Sequence, residues 1–168
     1  MHPDAAFDLE CTRASTVDYM NTTRDMQPPE KQPIGFWTVR AGEAIRTRTQ
    51  GALRDIDVAQ PEWWLLHQLS LHPGGVDRDA TIELIGHNDT PQAIVDAIDS
   101  ATHKGWVTQT DSRLTFTDAG AEKFRDAADV QRDLHAERMQ GISPEDFATT
   151  IRVLQQTVEN VGGDAWHW

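Results

Sequence analysis

At 168 residues and 38% hydrophobic content, the chain suits one domain with attached arms, or a domain plus a dimerisation module. It holds no run of 18 apolar residues, which argues against a membrane helix, and Met1–Leu9 has neither the basic start nor the apolar stretch of a secretory signal. The lone Cys11 has no partner for an internal disulfide, so a reducing cytoplasm is expected. Against 15 bases stand 27 acids, a formal charge of −12 that repels polyanions wherever no local patch reverses it.

Residues 1–33 carry Pro3, Pro28, Pro29 and Pro33 without sustained periodicity and read as a flexible leader, with Met20 a second candidate start. From Ile34 the apolar residues Trp37, Ala41, Ala44, Ile45 and Ala52 recur at helical spacing, which predicts a first long helix to about Arg54. Pro61 opens a second helix through Trp63, Trp64, Leu65, Leu66 and Leu69, stopped by His72-Pro73-Gly74-Gly75. A short third helix spans about Asp77 to Ile85. Thr90-Pro91 then caps and starts a fourth, with Ile94, Ala97, Ile98 and Ala101 inward and a stop at Gly105.

Two alternating runs, Trp106–Gln109 and Arg113–Phe116, flank Thr110-Asp111-Ser112 and predict a hairpin. Thr117-Asp118 caps a fifth helix carrying Phe124, Ala127, Ala128 and Leu134. Ser143-Pro144-Glu145-Asp146 starts a sixth. There Phe147, Ile151, Leu154, Val158 and Val161 are spaced 4-3-4-3, a heptad stripe suited to pairing helices. Gly162-Gly163 ends it, and Trp166-His167-Trp168 reads as a loose tail.

The fold class is therefore mainly α with a short β-hairpin wing: a winged helix-turn-helix flanked by one helix before and two after. The expected organisation is a leader at 1–33, a winged lobe at 59–116 and a tail at 162–168, with 34–58 and 117–161 as the terminal helices that the resemblance described next implies to be dimerisation helices.

Several stretches resemble the MarR family of regulators. Pro33-Ile34-Gly35-Phe36-Trp37 with Arg40-Ala41-Gly42 is similar to the opening of its first helix, and Pro61-Glu62-Trp63-Trp64-Leu65-Leu66 to the start of its second. Lys104-Gly105-Trp106-Val107 resembles the segment closing its recognition helix. Thr117-Asp118-Ala119-Gly120 resembles the lead into helix five, and Ser143–Asp146 the last helix start. The resemblance covers about residues 33–161. It implies a homodimer built from the terminal helices, which places Phe147, Ile151, Leu154 and Val158 in the dimer contact. The heptad stripe supports the same contact independently.

It also implies a fourth helix that enters the major groove of double-stranded DNA, with the wing on the backbone. The candidate DNA residues are Thr90, Gln92, Asp96 and Arg113. The arginine that family members use to read bases falls on Asp96, which can only accept hydrogen bonds. The shortened wing Asp111-Ser112-Arg113 keeps Arg113 as its candidate anchor. Between Asp77 and Arg113 seven acids face three bases, a balance that disfavours phosphate neutralisation.

Family members hold small, often aromatic ligands between dimer helices and winged lobe. The matching positions are Phe36, Trp37, Arg40, Trp63, Trp64 and His67, where apolar walls and Arg40 suit an aromatic or anionic ligand. An acid–base set of His67, Arg40 and Glu62 would need the three to converge. Neither a nucleophile triad nor a glycine-rich phosphate loop is present, and His67 and His72 give only a weak metal hint. No cofactor or metal is expected. The primary reading is a small-molecule-responsive transcriptional regulator. The alternative is a protein of this fold that has lost DNA binding and binds or converts an aromatic metabolite.

Overall fold

The computed structural model describes residues 26–165, so Cys11, Met20 and the Trp166–Trp168 tail lie outside the described residues. In chain order come a 3-10 turn at Pro29–Lys31, α1 (Ile34–Arg54), α2 (Gln60–Leu71), β1 (Val76–Asp77), α3 (Arg78–Gly86), α4 (Pro91–His103), β2 (Val107–Thr110), β3 (Arg113–Phe116), α5 (Asp118–Arg138) and α6 (Pro144–Asn160). The six expected helices and the hairpin are all present. Two elements go beyond the expectation: the 3-10 turn inside the stretch read as leader, and β1. The latter pairs antiparallel with β3 to give a three-stranded sheet of order β1-β3-β2. Among the described residues no helix is long and apolar enough to cross a membrane.

Helix starts follow the caps. Thr90 accepts from the Ala93 amide, Thr117 from Gly120 and Ser143 from Asp146, each leaving one fewer orphan N–H in a first turn. Asp77 does the same for α3. The Ala80 amide, joined by the Ser112 hydroxyl, holds the Asp77 carboxyl below its ordinary range, so one side chain starts α3 and also ties it to the wing.

The core lies in the winged lobe. Leu53 of α1, Leu65, Leu66 and Leu69 of α2, Ile85 of α3, Ile94 and Ile98 of α4, Leu114 of β3 and Ala127 of α5 form one buried cluster. Each such aliphatic side chain contributes about 1.5–3 kcal/mol when fully buried. The arms differ. In α1 only Thr49 and Leu53 are buried, and in α6 no residue is. Arg48 joins α1 to α5 through a bidentate contact with Glu137, at 3.1 and 2.9 Å. An exposed pair of this kind orients the helices more than it stabilises them.

Two glycines are required by close approach. A Cβ at Gly120 would fall on the Trp106 carbonyl, the oxygen that also accepts from the Thr117 amide. Gly75, at φ +84°, would bring a Cβ onto the Leu114 carbonyl. Gly42, in the middle of α1, has open space instead. Gly120→Ala is expected to cost about 2–3 kcal/mol through forced displacement of the wing from α5. Gly42→Ala should be neutral or stabilise by up to about 1 kcal/mol. Urea unfolding of the two variants beside the parent checks both, and equal stabilities would contradict the packing account.

Candidate functional site

The six expected ligand residues fall in three places. Phe36, Trp37 and Arg40 lie on the exposed first half of α1. There the Phe36 and Trp37 rings meet edge to face at 5.3 Å, and Arg40 stands over Phe36 while pairing with Glu43 at 3.9 Å. The Trp37 indole N–H donates to Gln32. Trp63 turns toward α5, stacked on Phe124 at 5.7 Å, with His67 beside it at 5.4 Å. Burial lowers the pKa of His67, favouring the neutral imidazole. Trp64, one residue further along α2, points into a separate cavity.

That cavity, about 520 Å³, sits where α1, α2 and the α3–α4 turn meet. Its volume is that of small-ligand sites, about 300–1,000 Å³. Arg46 and Gln50 come from α1, Gln60, Pro61 and Trp64 from the first turns of α2, and Asn88 and Asp89 from the turn before α4. Among the described residues no side-chain hydrogen bond or ion pair occupies Arg46, Gln50, Gln60, Trp64 or Asp89. The buried Nδ2 of Asn88 also lacks a partner. The concavity thus joins a half-buried indole to solvent-facing side chains of both charge signs that no neighbour occupies. Of these seven residues the sequence reading reached only Trp64. The four-residue spacing puts Arg46 and Gln50 on one face of α1, but nothing in the sequence marks that face as part of a site.

No acid–base set forms from His67, Arg40 and Glu62. Glu62 is 1% exposed, and it accepts from the Ala59 amide (2.7 Å), the Ser100 hydroxyl (2.7 Å) and Lys104 Nζ (3.1 Å). Among the described residues no three His, Cys, Asp or Glu side chains gather as a metal site.

On the lobe's outer face α4 exposes Gln92, Asp96, Asp99 and His103. Gln92 Nε2 donates to Asp96 Oδ1 at 2.8 Å, so the pair offers mainly acceptors. The Thr90 hydroxyl oxygen is used as the α4 cap. Arg113 donates to the carbonyls of Gly74 (2.7 Å) and Gly75 (3.2 Å), holding the turn before β1. Arg78 pairs with Asp79 and Lys104 with Glu62. All three bases between residues 77 and 113 are thus engaged within the lobe.

The dimerisation candidates lie together along α6: Phe147, Ile151 and Val158 exposed, Leu154 half-buried. Phe147 meets His135 of α5 at 6.3 Å. Alongside, Ile34, Trp37 and Ala41 of α1 and Val153 and Leu154 of α6 line an apolar groove of about 330 Å³.

No known family's sequence profile matches the chain, and no curated protein matches it in sequence. Solved structures do match. A MarR family transcriptional regulator from Silicibacter pomeroyi superposes with a TM-score of 0.64 at 17% identity, over 76% of this chain and 91% of that one. CouR from Rhodococcus jostii RHA1, bound to p-coumaroyl-CoA, gives 0.63 at 21% identity over 79% and 95%. The Mycobacterium tuberculosis MarR family protein Rv2887, in complex with DNA, gives 0.58 at 22% over 79% and 99%. On these superpositions the chain has the winged-helix fold seen in MarR family transcriptional regulators.

Proposed function

We propose that the protein is a cytoplasmic, homodimeric, small-molecule-responsive transcriptional regulator. The observation that carries this reading is the cavity, whose walls join the arm helix α1 to the turn that launches α4. A molecule seated there touches both the arm and the start of the reading helix, which is what a ligand must do to shift their relative position. One structural relative is solved with DNA and another with an aromatic acyl-CoA, which supports a reading with both kinds of partner. Homodimerisation is supported by the largely exposed apolar stripe of α6 and the apolar groove beside it. A second copy supplies the complementary stripe, and terminal helices on opposite ends of the chain can then interlock.

A second reading has its own observation. With Arg78, Lys104 and Arg113 engaged and Asp96 on the outer face of α4, the lobe offers few groups for phosphate. A protein of this fold that binds an aromatic metabolite without DNA would look the same.

Binding to DNA from the neighbourhood of its own gene, measured at about 50 and 200 mM salt, separates the two. A regulator with about two phosphate contacts per site should bind at the lower salt and lose about tenfold in affinity at the higher. That is far less than the loss of about 10³–10⁵ shown by proteins with six to ten contacts. Absence of binding at about 50 mM would overturn the regulator reading and leave the cavity as the functional feature.

A further inference from the structure

We propose that the cavity between α1, α2 and the α3–α4 turn takes an aromatic zwitterion: a flat ring with a carboxylate at one end and an ammonium at the other. This rests on the effector-site reading above and specifies its ligand.

The cavity wall carries one cation, Arg46, and one carboxylate, Asp89, on different elements, and no ion pair joins them. Each therefore remains available to a ligand of the opposite sign. Trp64 supplies an aromatic face for a ring. A purely anionic aromatic would answer Arg46 but set a second negative charge near Asp89, in a chain whose net charge is already −12. A purely cationic one would reverse the conflict at Arg46. A ligand with both signs answers both wall charges, whereas each singly charged one is opposed at one wall, and this discrimination arises from repulsion as much as attraction.

The test uses the full chain and three ring compounds of nearly the same size, titrated by calorimetry: 4-(aminomethyl)benzoate, 4-methylbenzoate and 4-methylbenzylamine. The zwitterion is expected to bind at least about tenfold more tightly than either singly charged compound, since each charge-assisted hydrogen bond lost is worth that much. Arg46→Gln should bring the zwitterion down to the level of the amine, and Asp89→Asn to the level of 4-methylbenzoate. Both side chains are exposed, so both variants keep the parent's circular dichroism. If either singly charged compound binds the parent as tightly as the zwitterion, this inference is overturned while the effector site stands. If none of the three binds, the effector-site reading falls, and this inference with it.

Discussion

Lys104→Ala is expected to lower the free energy of unfolding by about 3 kcal/mol, the lower end of the range for leaving one member of a buried pair uncompensated. Glu62 is withdrawn from water between α2 and α4, and Lys104 is the cation that faces it. The Ala59 amide and Ser100 hydroxyl still donate to the carboxylate after the change, which keeps the loss from the upper end. Lys104 also donates to the Asp57 carbonyl at 2.8 Å and lies 4.5 Å from the centre of the Trp106 ring. Asp57 sits at φ 59°, a left-handed conformation that a non-glycine residue keeps only when its surroundings hold it. For a domain of this size the midpoint of thermal unfolding should fall by about 6–12 °C. Pairing Lys104→Met with Glu62→Gln removes both charges and keeps an acceptor for Ala59, and should restore more than half of the loss. A double variant no better than Lys104→Ala would mean that the lysine acts through Asp57 and Trp106, not through Glu62.

The second large effect is expected at α6. Ile151→Asp should weaken self-association by at least about 100-fold, because it removes an apolar contact and places a charge where the partner's stripe would cover it. Ile151 is 40% exposed in the single chain and is not a member of the buried core cluster, so the lobe should remain folded. Sedimentation across a concentration series, together with helical content by circular dichroism, gives both readouts. The expected result is a monomer with an intact lobe and reduced helicity, since a 17-residue helix with no buried face has little besides its propensity to hold it. Association as strong as the parent's would remove α6 from the interface and with it the proposed dimer.

The helix boundaries were legible because they are local chemistry. Thr90-Pro91, Thr117 and Ser143-Pro144 each state a cap within two residues, and the structure starts α4, α5 and α6 there. The two-residue strand β1 had no such signal. Val76 and Asp77 are too few to show alternation, and their pairing with β3 is set by the wing. The cavity was illegible for a different reason. Arg46, Gln60 and Asp89 come from three elements, and no spacing along the chain relates them. The adjacent Trp63 and Trp64 could not be told apart by type. Only the packing of α2 sends one against Phe124 and the other into the cavity. Arg113 shows the limit from the other side: its residue type suited a DNA anchor, while its bonds to Gly74 and Gly75 are set by sheet geometry.

The uncrowded glycine of α1 bears on how stiff that helix is. Gly42 lies between the groove end, with Ile34 and Trp37, and the cavity end, with Arg46 and Gln50. About 14 Å of helix separates Trp37 from Arg46, short enough to move as a rod if every residue favours the helix. Glycine at the midpoint lowers the local cost of bending, and no neighbour requires it for space. In the proposed regulator, a push at Arg46 would be absorbed partly as flexure before it reached Trp37. The compliance of α1 at one residue would then set what fraction of a displacement at the cavity is delivered to the other end of the helix.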